Sequence, residues 1–159
     1  MCSDPTFPQA NKVRPAPRPL VLDTNIVLDL LLFNDPGAQP LRLMLAARQI
    51  EWLTTPAMRD EFERVLAYPL ILKQMARQQL SAVQLLLEFD AQARIVDVAP
   101  TSRLRCGDPD DQKFIDLAVA HKAHLMSKDR AVLRMARRLQ VFDVRAQDGC
   151  QFLLAAAHA

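Results

Sequence analysis

The feature that most constrains this chain is a succession of strand-length apolar runs, each followed by residues with helical spacing. Leu20-Val21-Leu22 is too short for a helix and suits a buried strand ending at Asp23. Ile26 to Phe33 reads as a helix stopped by Asn34-Asp35-Pro36-Gly37, and Gln39 to Arg48 as a second helix. Glu51 to Thr54 makes a short strand. Thr55 as N-cap and Pro56 in the first turn open a third helix, with Met58, Phe62, Val65 and Leu66 on its apolar face and Tyr68-Pro69 closing it. Ile71 to Ala91 is rich in Leu, Gln, Ala and Arg and predicts one or two helices, and Arg94 to Val98 alternates as a third strand. After a loop over Ala99 to Cys106, Pro109 opens a helix to about Lys122. His124 to Ser127 predicts a strand, Arg130 to Leu139 a helix, and Val141 to Val144 a last strand before a C-terminal helix from Gln147. Strands alternating with helices predict an α/β fold with a central, mainly parallel sheet of four to five strands.

A length of 159 residues with 50% hydrophobic composition suits one domain with one continuous core. Residues 1–19 hold five of the eleven prolines and no contiguous apolar run. They read as a disordered lead, neither signal peptide nor helix, before a single domain over 20–159. No later segment reaches the roughly 18 uninterrupted apolar residues of a membrane span, the longest candidate being broken by Asp29. Cys2, Cys106 and Cys150 are an odd, scattered set without zinc-site or disulfide spacing, which fits a reducing cytoplasm. With a net charge of only +2, affinity for nucleic acid must come from where the 20 Lys and Arg residues are placed.

Ligand crevices of open α/β sheets lie outside the carboxyl ends of the strands. Asp23 follows the first strand, Asp129 follows the Leu125-Met126-Ser127 strand, and Asp108, Asp110 and Asp111 open the helix leading into it. Each can equally be a helix cap or a first-turn acid favoured by the dipole. Glu61 is harder to explain that way. It lies three residues after Met58 and four before Val65, which sets a carboxylate against the apolar stripe with no basic partner in view, although an unseen Arg is the structural alternative. Asp60 and Arg64 read as a solvated i,i+4 pair. Carboxylates crowded at one sheet edge repel, and a hard divalent cation relieves the repulsion. No soft ligand set suggests zinc; His121 and His124 read as surface or packing residues, and Trp52 as core.

Four segments then match a known family in order. Val21-Leu22-Asp23-Thr24-Asn25 resembles the strand-end signature that opens PIN domains, and Glu61-Phe62-Glu63-Arg64-Val65-Leu66 resembles their acidic helix. Asp108-Pro109-Asp110-Asp111-Gln112-Lys113-Phe114 with Leu117-Ala118 resembles the third motif, and Ser127-Lys128-Asp129 with Ala131-Val132-Leu133 the fourth. The resemblance covers roughly residues 20 to 145 and is nearest to the VapC-like toxins of bacterial toxin–antitoxin pairs. It implies a three-layer α/β/α PIN fold and a Mg²⁺- or Mn²⁺-dependent endoribonuclease, with one or two ions held by Asp23, Glu61, Asp111 and Asp129. It also implies a small antitoxin partner and a homodimer. Asn25 and Ser127 would orient a carboxylate or a phosphate oxygen, Thr24 would do the same or cap its helix, and Asp108 is a supporting or alternative ligand. Asp111 best matches the family's acidic position, while Asp116 reads as solvated. Arg103, Arg105, Lys113, Lys128 and Arg130 flank the motifs closely enough to touch an RNA backbone, or are simply solvated charges. The Arg134 to Arg138 face serves binding or solubility.

Two other readings stand beside the nuclease. One is an inactive PIN-fold module that binds RNA or a protein, for which the mark would be loss of an acid. The other is a phosphotransfer domain, which needs a second Asp two residues after Asp23, where the chain has Asn25.

Overall fold

The computed structural model describes residues 15–149. Five strands form one sheet: β1 (Arg18–Leu22), β2 (Ile50–Thr54), β3 (Ala93–Ile95), β4 (His124–Met126) and β5 (Ala146–Gln147), in the order β3-β2-β1-β4-β5. Every pairing is parallel. The chain therefore builds outward from β1 to β3, then crosses back to add β4 and β5 on the other side. The strand order reverses between β1 and β4, and in such sheets the crevice at that reversal is where ligands bind.

The helices are α1 (Thr24–Leu31), α2 (Gln39–Ala46), α3 (Pro56–Leu66), α4 (Pro69–Arg77), α5 (Ala82–Gln92), α6 (Gln112–His121), α7 (Arg130–Leu133) and α8 (Ala136–Gln140), with 3₁₀ turns at Pro36–Ala38 and Pro109–Asp111. Strand pleating sorts them into two layers. Leu20, Leu22, Ile50, Trp52 and Met126 face a core completed by α1 and by Phe62, Leu66, Met75, Leu85 and Phe89. Val21, Leu53 and Leu125 face the opposite core, completed by Phe114, Leu117, Val132 and Leu139. Trp52 is core as expected, edge-on to Phe89 at 4.6 Å between ring centroids. Burying an aromatic of this kind contributes about 1.5–3 kcal/mol relative to exposure. No helix among the described residues is long and apolar enough to cross a membrane.

Helix α3 has a special place, because Met58 packs in one core while Phe62 and Leu66 pack in the other. It starts as the sequence predicts, with the Thr55 hydroxyl accepting from Met58 N and Pro56 in the first turn. The segment from Ile71 to Ala91 resolves into two helices. Gln79 takes a left-handed φ of 55° and Ser81 opens α5 with a capping box shared with Gln84.

Several boundaries differ from the sequence expectation. The helix from Arg130 is two short helices. The last strand lies at Ala146–Gln147, not at Val141–Val144, because residues 141–144 close α8 instead: Asp143 has φ 59° and Val144 N returns to Leu139 O. Val144 is buried, so its apolar character reports packing without strand pairing. The helix expected from Gln147 does not start there, because Gln147 belongs to β5 and Asp148 and Gly149 follow it as a bend; residues 150–159, like most of the lead, lie outside the described residues. Asp60 and Arg64 are exposed as expected but no ion pair joins them, and it is Arg59 that grips Asp90 on α5 at 2.6 and 2.8 Å and lies 3.9 Å from Glu63.

Candidate active site

The parallel pairing of β1 with β4 brings the ends of both strands together, and the acids follow from it. Leu22 is level with Met126, so Asp23 and Ser127 emerge side by side. Asp23 N donates to Met126 O at 2.9 Å, and the Ser127 hydroxyl donates to Asp23 Oδ2 at 2.6 Å. The same hydroxyl oxygen accepts from Asp129 N at 3.0 Å, so one buried serine fixes both acidic segments. Asp23 stands at the N-cap position of α1 but accepts no bond of capping geometry from that helix. Burial raises its pKa above the ordinary carboxylate range, with Glu61 and Asp129 adding to the rise. The bond from Ser127 and the nearby Asn25 backbone N–H only partly offset it.

Asp108 and Asp129 are caps as well as site acids. Asp108 Oδ1 accepts from Asp110 N at 3.0 Å and Asp129 Oδ1 from Ala131 N at 2.8 Å, which fixes each side chain through one oxygen. Asp111 ends the 3₁₀ turn that Pro109 starts and is 8% exposed. Its Oδ2 is buried without a hydrogen-bond donor. Burial, proton sharing with Asp129, and the charges of Asp23, Asp129 and Asp108 push its pKa up to about 7.

Oxygens of Asp108, Asp111 and Asp129 all lie within 4.8 Å of one another. That spread closes onto one cation with Mg²⁺-like bonds of about 2.1 Å after modest side-chain movement. The donor set is all oxygen, and the donorless Asp111 Oδ2 is the atom that lacks a positive neighbour. The residues therefore fit a hard divalent cation. Asp108, expected only in support, belongs to this group, whereas Asp23 stands outside it with its charge acting on Asp111, and Glu61 is tied to the neighbouring Thr24.

Glu61 departs from expectation. It does have a basic partner, Lys113, whose Nζ donates to Oε1 at 3.1 Å, while Thr24 Oγ1 donates to Oε2 at 2.6 Å. Lys113 lies 52 positions away, so no helical periodicity on α3 could reveal it. Thr24 thus orients Glu61. Asn25 is exposed.

A model of the PIN domain matches residues 19–131, which includes every one of these acids. The chain belongs to the PIN domain family. Membership of the VapC-like subgroup is consistent with that match. No curated protein matches the chain. PIN domains are in general nucleases that use divalent metal ions and act on nucleic acids, and the acidic group here is compatible with metal binding.

The expected substrate-facing cations divide into two groups. Arg103, Arg105 and Arg130 are exposed. The PIN domain presents Arg103 and Arg105 on a loop pinned to α6: Gln112 accepts from Cys106 N at 2.7 Å and donates to Leu104 O at 2.8 Å, and Asp116 accepts from Ser102 N at 2.9 Å. Asp116 is thus a loop anchor instead of a solvated charge. Its i,i+4 spacing from Gln112, bonded at 2.9 Å, was the available signal. Lys113 and Lys128 are engaged within the protein. Lys128 pairs with Asp29 and lies 3.9 Å from Asp35, where all three line a cavity of about 320 Å³ together with Asp148.

Proposed function

We propose that this PIN domain is a Mg²⁺- or Mn²⁺-dependent endoribonuclease that hydrolyses RNA phosphodiester bonds. The observation that carries the reading is Asp111: a buried carboxylate with a donorless oxygen, facing two other carboxylates and held near pKa 7. A structural acid of this burial normally has a donor or a cation.

Asp108, Asp111 and Asp129 would hold the cation, with Asp23 and Glu61 as bordering acids of the same centre. When bound, a divalent ion supplies Lewis-acid charge that makes water a nucleophile near neutral pH and stabilises charge on the scissile phosphate. Asp23, with Oδ2 occupied by Ser127, has Oδ1 to accept a hydrogen bond from the attacking water and later its proton. Ser127 fixes the Asp23 carboxylate and the start of α7 together, so the geometry is set before substrate arrives. Thr24 does the same for Glu61. Arg103, Arg105 and Arg130 would contact backbone phosphates, which gives affinity without sequence readout.

The family resemblance further supports the toxin of a toxin–antitoxin pair, active in the cytoplasm as a homodimer and inhibited by a small antitoxin that offers a basic residue to the acids. The single PIN domain would begin with β1 at Arg18, two residues before the boundary expected at residue 20, and extend to 159, with the residues before it a lead. Purified protein incubated with labelled RNA tests the nuclease: cleavage is expected with Mg²⁺ or Mn²⁺, and none with EDTA or in Asp111→Asn. Cleavage that persists in both controls overturns the reading. The toxin role is tested separately by inducing the chain without a partner in bacteria. Growth arrest by wild type but not by Asp111→Asn is expected, and unimpaired growth with active protein present contradicts it.

A further inference from the structure

Both oxygens of Glu61 are already bonded, one to Thr24 and one to Lys113. The Asp108, Asp111 and Asp129 group is the reverse case, with a buried oxygen that lacks any donor. Lys113 is well anchored where it stands. Its Nζ also donates to Asp110 O at 2.6 Å and lies 5.0 Å from the centroid of the buried Phe114 ring. The Lys113 side chain is 29% exposed and is held at its end by these contacts. An ammonium and a divalent cation compete for the same carboxylate oxygens, because charge draws both. Two-ion phosphodiester sites place their ions about 4 Å apart, so a second ion needs another carboxylate at the border of the first site. Glu61, bonded to Thr24 next to Asp23 and sharing Lys113 with the Asp110 carbonyl next to Asp111, is the acid placed for that role.

We infer that Lys113 fills the position beside Glu61 that a second divalent cation needs, so that the chain binds one ion, between Asp108, Asp111 and Asp129. The inference rests on the nuclease reading of this centre. Lys113 is then a positioning residue. It keeps Glu61 fixed, and its ammonium supplies the positive charge that the second ion supplies in two-ion sites.

The test is a Mn²⁺ titration of the full chain, stripped with EDTA, followed by calorimetry and by electron paramagnetic resonance. Wild type and Lys113→Arg are expected to bind one ion per chain and give the spectrum of isolated Mn²⁺. Lys113→Met is expected to bind two and give a spin-coupled pair. Two ions in wild type overturn the inference, as does a single ion in Lys113→Met whose circular dichroism matches wild type. The wild-type count decides even if the variant does not fold. Asp111→Asn separates the two levels: loss of Mn²⁺ binding there supports the centre, and undiminished binding overturns the nuclease reading beneath the inference.

Discussion

The Ser127 hydroxyl donates to the Asp23 carboxylate at 2.6 Å, joining residues 104 positions apart across the central β1–β4 pairing. Removing it in Ser127→Ala leaves a buried carboxylate short of one donor and frees Asp129 N. Loss of such an orienting bond costs roughly 10- to 100-fold in metal affinity or activity. Because that bond lowers the Asp23 pKa, its loss also moves the acidic limb of the pH–rate profile upward. Steady-state cleavage rates from pH 5 to 9 check both.

Asp111 gives a pH dependence of stability with an unusual sign. Its pKa rises from 3.8 in the unfolded chain to about 7 in the folded one, so the native state holds the proton more tightly. Its contribution is fully present below pH 3.8 and is lost as pH rises through about 7. Metal-free protein should therefore show a Tm that falls between pH 5 and 8, by on the order of 5 °C given that about 1 kcal/mol moves Tm by 2–4 °C at this size. Thermal melts in EDTA measure the fall, and added Mn²⁺ should abolish it.

Asp111→Asn should separate stability from function. At pH 8 it removes a desolvated charge repelled by three neighbours, so the metal-free variant should melt higher than wild type while cleaving RNA at least about 100-fold more slowly. Calorimetry and a cleavage assay on the same preparation check the pair.

Gln112→Ala should act on substrate binding. Gln112 holds Leu104 and Cys106, so its loss frees the loop that carries Arg103 and Arg105. KM for RNA should rise several-fold with a smaller change in kcat, and the salt dependence of binding should weaken.

Arg59 and Asp90 tie α3 to α5 by a bidentate pair at a partly exposed site. Arg59→Ala should cost about 0.5–1 kcal/mol, since solvent screens such pairs. A double-mutant cycle with Asp90→Ala by urea unfolding gives the coupling.

Much of the fold was legible because local signals agreed with the tertiary outcome. Leu20-Val21-Leu22 reads as a strand and is one, and Thr55-Pro56 starts α3 where expected. Val141–Val144 misled because an apolar run cannot distinguish a paired strand from a buried helix-closing turn. At the site, the acids were visible from motif and strand ends, but their partners were not. Lys113 meets Glu61 only in the folded chain, 52 positions away, and Asp108 reads as an ordinary cap because one of its oxygens accepts a capping bond. Capping and metal binding use different oxygens of the same carboxylate, so sequence alone cannot choose between them.

Anomalous diffraction from crystals soaked in Mn²⁺ tests the central claim most directly. The expected result is a peak bonded to oxygens of Asp108, Asp111 and Asp129, bordered by Asp23. A peak elsewhere, or none in crystals of protein that cleaves RNA with Mn²⁺, contradicts it.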